Sequence, residues 1–271
     1  MSIFSSSAIA AGMPSAVIAP HEFDLPLKFK PISEFVEYGY FNSDDRTYAV
    51  DGSTSKGPDG ATYVGISKLA YLASLGDRLG YEIEALVPLT KVAGREPNDS
   101  GVGDPIFAPV LWFKPTDNTT IGADLLVQPA WGQSKFSAHN LVVTPTLFYD
   151  ANVSHVNVDG DIGLSLPSSH GQAINDVKDP AETAFANVRV AYALTSKWSP
   201  YLSADWQYTG KARDGMDNAI NNSRTREFAM GAGAMWIPFL ASSLSMSYSH
   251  ALSGANVVQT DAVYFRYVYS W

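Results

Sequence analysis

The stretch Asp261-Ala-Val-Tyr-Phe-Arg-Tyr-Val-Tyr-Ser-Trp271 decides the fold class. Val263, Phe265, Tyr267, Tyr269 and Trp271 share one parity, and every one of them is apolar or aromatic. Ala262, Tyr264, Arg266, Val268 and Ser270 share the other, which is mixed. Side chains of a β-strand alternate between two faces, so a strand built here has one continuously greasy face and one that accepts polar groups. A soluble protein rarely finishes on such a strand. An outer-membrane β-barrel finishes on one as a rule, with the greasy face towards lipid.

Working outward from this segment, alternation and turn signals divide the chain into twelve candidate strands. They span residues 30–41, 61–73, 80–90, 104–114, 120–130, 140–149, 154–165, 183–194, 199–209, 225–237, 242–251 and 260–271. Most are as long as a tilted membrane-crossing strand needs to be, about 9–11 residues. Connections after the even-numbered strands are short: Gly76-Asp-Arg-Leu79, Thr116-Asp-Asn-Thr119, Asp150-Ala-Asn152, Thr195-Ser-Lys197 and the neighbourhood of Pro238. Those after the odd-numbered strands are mostly longer and rich in Gly, Asp, Asn and Ser, as in 42–60, 91–103, 166–182 and 210–224. Short turns on one side and long loops on the other are the pattern of an all-β, up-and-down transmembrane barrel, with the short side and both termini periplasmic. Trp112, Trp198, Trp236 and Trp271 fall near the short turns, and Trp131 and Trp206 near the long loops, as interfacial aromatic girdles would.

Composition agrees. Charged residues are 17% and hydrophobic residues 46%, yet no run of 18 apolar residues exists to form a spanning helix. The chain has no cysteine, which excludes disulfides and thiolate metal sites, and a net charge of −9, which argues against nucleic acid as a partner. Residues 1–20 carry no charged side chain. A secretory signal opens with a basic region and none is present. The expectation is therefore that a signal has been removed, and that residues 1–26 form a small arm ahead of a barrel over 27–271. From the periplasmic side this arm can enter the lumen, with residues 1–20 restricting it.

Parity also assigns the interior. Ser243, Ser245, Ser247 and Ser249 oppose Leu244, Met246 and Tyr248, and Ser203, Asp205 and Gln207 oppose Leu202, Ala204 and Trp206. The expected polar lumen residues are Glu37, Glu82, Glu84, Asp124, Gln128, Arg189, Asp205 and Arg266. Buried charges need partners, so Arg189 and Arg266 are expected to pair with inward carboxylates. Strand 4 is apolar on both faces, and strand 10 turns Ala229, Gly231, Gly233 and Met235 inward. Ile106, Val110, Trp112 and Met235 are therefore expected to form an apolar inner wall, serving either poorly soluble cargo or the amino-terminal arm. Pro109, Pro129 and Pro145 fall on the outward parity of successive strands, where each removes a ladder N–H. They mark either bulges that shape the wall or a lateral opening from lumen to membrane.

Catalytic and metal motifs fail. Outer-membrane phospholipases carry a serine two residues after a histidine. Here the residues two after His21, His139, His155, His170 and His250 are Phe23, Leu141, Asn157, Gln172 and Leu252. Gly163-Leu-Ser165-Leu-Pro167 lacks the final glycine of a nucleophile elbow. Asn157-Val-Asp159-Gly160-Asp161 has Ile162 where a calcium loop needs glycine, and reads instead as inward acids in strand 7. No enzyme activity, cofactor or metal is expected.

With these residues in hand, the chain resembles the family named for the MetA pathway of phenol degradation. The carrying segments are Ile18-Ala-Pro-His-Glu-Phe-Asp-Leu-Pro26, Gly103-Asp-Pro-Ile-Phe-Ala-Pro109 with Trp112 after it, and the aromatic last strand; the resemblance runs from about residue 12 onward. It implies a small monomeric outer-membrane channel of Gram-negative cells, set in lipid and lipopolysaccharide, through which small hydrophobic or aromatic molecules diffuse. A narrow pore for polar solutes, a lipid-modifying enzyme and a purely structural barrel are the alternatives. Twelve strands lie between the filled eight-stranded barrels and the open sixteen-stranded porins, so the bore is expected to be narrow.

Overall fold

The computed structural model describes residues 18–26, 28–94, 99–174 and 176–271, and among these there is no helix. Twelve long strands carry the fold: β1 (Ile32–Ser43), β2 (Ala61–Ser74), β3 (Leu79–Ala93), β4 (Ile106–Thr116), β5 (Thr119–Gln128), β6 (Val142–Val153), β7 (Val156–Pro167), β8 (Thr183–Tyr192), β9 (Trp198–Thr209), β10 (Thr225–Phe239), β11 (Ser242–Ala255) and β12 (Asp261–Ser270). Each pairs antiparallel with the next, and β12 pairs with β1 to close the barrel. All twelve expected strands are present. β5 stops at Gln128 because Pro129, which has no N–H to give, cannot extend the ladder. β6 runs past the expected turn at 150–152, since Asp150 and Asn152 pair with Asp159 and Asn157; the reversal comes at residues 154–155, where Ser154 has φ 57°.

Closure gives each strand one inner and one outer face. The outer face is apolar and open: Leu69, Ile83, Leu147, Leu202 and Met246 are each 58–60% exposed. A continuous apolar surface of this kind belongs in lipid, not in water. Trp198 stacks on Trp236 at 5.8 Å and Tyr269 on Trp271 at 5.8 Å, both near the short turns. Trp131 and Trp206 stand exposed towards the long loops. Trp112 does not join either girdle: it points inward and is 1% exposed.

The long loops contain structure that alternation did not announce, because its strands are too short for a period. Arg46–Tyr48, Thr54–Lys56 and Val257–Val258 form a three-stranded sheet, and Asp99–Val102 adds to β3. Tyr48 packs against Ala229, Ala251 and Val257, and its hydroxyl donates to the Ala251 carbonyl at 2.9 Å. Asp104, just ahead of β4, is 1% exposed and fastens the β5–β6 loop. Its Oδ1 accepts from Gly132 N and its Oδ2 from Ala138 N, both at 2.7 Å. Asp104→Ala leaves two part-buried amides without their acceptor, at a cost below the roughly 1–3 kcal/mol of a fully buried group. Proteolysis within 129–141 should therefore accelerate while the barrel itself keeps its heat-resistant migration on gels.

Candidate functional site: the occupied lumen and the wall beside Pro145

Residues 18–26 enter the barrel from the short-turn end and are held by side chains of the inner face. The path begins where Phe29 N donates to Ser74 Oγ (3.3 Å) at the end of β2. Trp112 Nε1 then donates to the Pro26 carbonyl (3.3 Å), and Lys114 Nζ meets both the Leu25 carbonyl and Asp24 Oδ1 at 3.0 Å. Deeper, Asp159 accepts from Phe23 N (3.1 Å) and His21 N (2.6 Å). Glu22 lies 3.0 Å from Arg266 Nε and accepts from the Tyr38 hydroxyl at 2.8 Å. Arg189 Nε reaches the Ile18 carbonyl at 3.0 Å. Burial alone would raise the Asp24 carboxyl, but hydrogen bonds from His21 and Lys114 outweigh it and hold that carboxyl below its ordinary range. The expectation that residues 1–20 restrict the lumen falls mainly on 1–17, which lie outside the described residues.

The apolar part of the inner wall meets the same segment. Ala70 and Leu72 of β2, Val110 and Trp112 of β4 and Phe148 of β6 form one cluster, against which Phe23, Leu25, Phe29 and Ile32 pack. Phe23 stacks on Phe148 with ring centroids 4.4 Å apart and planes 13° apart. Two glycines make room for the wall rings. A Cβ at Gly122 would run into the Phe148 ring, and one at Gly80 into the Trp112 ring. Ile106 and Met235 also face inward and are buried.

Most of the polar residues expected inside stand on the inner parity. Glu82 and Glu84 hold Lys68 at 3.2 and 2.7 Å. Arg189 pairs with Asp205 at 2.6 Å, on the neighbouring strand, while Arg266 takes its partner Glu22 from the amino-terminal segment. Asp124 and Gln128 are half-buried on β5. Glu37 is a correction. On β1 the buried residues are Val36, Tyr38, Tyr40 and Asn42, so Glu37 stands with Phe35 and Phe41 on the outer face, where it accepts from Ser67 Oγ at 2.6 Å. Tyrosine ring and hydroxyl suit an interior that offers both apolar contact and a hydrogen-bond partner, and that outweighs the charge at position 37. Lys68 and Lys114, which sequence reasoning missed, share parity with apolar neighbours and so read as exceptions on a greasy face.

Two of the three prolines interrupt the wall. Between Phe107↔Val127 and Val110↔Asp124 the β4–β5 ladder skips Pro109, and between Gly163↔Thr146 and Leu166↔Val143 the β6–β7 ladder skips Pro145. Pro145 and Leu125 are in register on β5–β6. Pro129 lies beyond the end of β5, and its carbonyl accepts from Trp131 N at 2.8 Å. A recess of about 540 Å³ opens beside Pro145. Outward Ile162, Leu164, Ala186 and Trp206 line it together with inward Asp124, Thr146 and Phe185.

Comparison with curated proteins found no match. Among solved structures, the COG4313 outer membrane channel from Pseudomonas putida F1 superposes with a TM-score of 0.80 at 18% identity, covering 94% of this chain and 100% of that one. The translocator domain of the autotransporter NalP from Neisseria meningitidis gives 0.54 at 9% identity, covering 90% of each chain. The Ralstonia pickettii toluene transporter TbuX gives 0.50 at 9%, covering 94% of each. At these identities the likeness is one of fold, the transmembrane β-barrel. The family match spans residues 43–267, taking in the Gly103-Asp-Pro segment and most of the last strand but leaving out residues 18–26. On that match the chain belongs to the family described as "Putative MetA-pathway of phenol degradation".

Proposed function

We propose that this barrel is a non-enzymatic outer-membrane channel of Gram-negative cells, through which small hydrophobic molecules, aromatic ones above all, diffuse inward. The observation that carries this reading is the apolar, aromatic inner wall of β2, β4 and β6. A general porin keeps a polar, water-filled lumen; this wall is an apolar surface that Phe23 and Leu25 cover and that an apolar solute can take in their place. The family's link to phenol degradation and the likeness to a toluene transporter favour the same substrate class. The short turns face the periplasm in this reading, with both termini on that side, and the barrel works as a monomer in lipid and lipopolysaccharide. Residues 18–26, held by Tyr38, Trp112, Lys114, Asp159, Arg189 and Arg266, close the resting channel. The recess beside Pro145 is its exit into the membrane, a path that suits a molecule more soluble in lipid than in periplasm. A pore for small polar solutes is the second reading, favoured by Asp124 Oδ1 and Asp205 Oδ2, inward acceptors with no hydrogen-bond partner among the described residues.

Three outcomes are expected. Intact cells making the protein should take up dilute labelled naphthalene faster than cells without it; equal initial rates with a folded barrel would overturn the hydrophobic channel and favour the polar pore. Pro109→Val with Pro145→Val restores two ladder donors and should slow that uptake several-fold, whereas unchanged uptake would remove the lateral exit. Deleting residues 1–26 should raise single-channel conductance, and an unaltered trace would mean that the segment does not close the pore.

A further inference from the structure

The luminal aromatic wall has a construction that closing the pore does not require. Gly80, Trp112, Gly122 and Phe148 stand in register along one row across β3–β6. Aromatic residues alternate with glycines, and each ring occupies the space where a neighbouring glycine's Cβ would be. Rings laid down in this way present a face, not an edge, to whatever lies beside them. Phe23 lies parallel to the face of Phe148, and Phe29 stacks on Trp112 at 6.3 Å and 20°. Apart from Trp112 Nε1, which donates to the Pro26 carbonyl, the polar hold on residues 18–26 comes from outside this row. Asp159 takes the backbone amides of His21 and Phe23, Lys114 takes Asp24, and Arg266 with Tyr38 takes Glu22. None of these contacts depends on an aromatic side chain at position 23.

We infer that the row from Gly80 to Phe148 is a binding site for one planar, uncharged aromatic molecule, and that Phe23 is its internal occupant. An entering ring competes with Phe23 for the face of Phe148, and its binding works against the seated position of residues 18–26. The substrate class would thus help to open its own path. This rests on the reading of the barrel as a channel for aromatic molecules and adds to it the place where such a molecule is recognised. No bond is made or broken; one stacked ring replaces another.

The test uses the full-length barrel in nanodiscs, with Ala19→Cys, a position buried in the seated segment, as the sole thiol, since the chain has no cysteine. The rate of labelling by a water-soluble maleimide reports how often the segment leaves its seat. Naphthalene at saturation should raise that rate about three- to tenfold, the range that exchange of one aromatic stack supports. Hexane, equally apolar but without a ring, should not. Phe148→Leu keeps apolar bulk and removes the ring, so it should abolish the naphthalene response; Phe23→Leu should raise the basal rate and flatten the response. Each variant's fold is checked by heat-modifiable gel migration. A naphthalene response equal to that of hexane, or one that survives Phe148→Leu, overturns the inference. If labelling is insensitive to naphthalene while cells still take it up, the site is wrong and the channel reading stands; if uptake is absent as well, the channel reading fails.

Discussion

Hydrocarbon offers no partner to a backbone N–H or carbonyl, so every strand edge in a membrane must be paired. The pairing of β12 with β1, from Glu34↔Ser270 to Asn42↔Ala262, is therefore the contact on which the rest of this structure depends. It turns a sheet into a tube and gives each parity a fixed meaning, lipid or lumen. It also gives weight to the places where the ladder fails. At Pro109 and Pro145 a carbonyl loses its donor by covalent necessity, and an unpaired group of this kind costs several kcal/mol in lipid. The recess at Pro145, lined by residues of both parities, lies where the β6–β7 ladder is broken.

The lumen poses the opposite difficulty. Lys68, Arg189 and Arg266 are nearly inaccessible, and buried charge is tolerable only when paired. On the other side of the same space lies a cluster of apolar and aromatic side chains. Residues 18–26 serve both: a turn at 19–22, closed by Glu22 N on the Ala19 carbonyl with His21 at φ 58°, sends the acids and the apolar side chains of the segment to different partners. Glu22 and Asp24 go to Arg266 and Lys114, while Phe23 and Leu25 go to the aromatic wall. The segment is matched to the barrel in charge and in apolar surface at once, which explains why an inner wall that is greasy on one side and ionic on the other can be stable.

Glu37 marks the limit of reasoning from charge. An acid in a spanning strand reads as lumen-facing, since lipid penalises it. β1 instead turns Val36, Tyr38 and Tyr40 inward, where Tyr38 finds Glu22, and leaves Glu37 outside with Ser67 as hydrogen-bond donor. One acid facing outward accompanies two tyrosines in the interior, and the partner Tyr38 finds there is Glu22, which no local pattern connects to it.

Strand number, inner and outer parity for most strands, the short-turn and long-loop ends and the apolar character of β4 were all legible in the sequence, because a period of two survives in any window of ten residues. Arg189 and Arg266 could be marked as needing acids, but their partners could not be named, since ion pairs join residues far apart in the chain. The row Gly80–Trp112–Gly122–Phe148 was illegible for a related reason: those residues become neighbours only through the register of four strands. The sequence by itself determined that this chain closes into a membrane barrel. What fills that barrel, and against which rings, was decided only by the tertiary structure, because register and closure are long-range facts that no local period encodes.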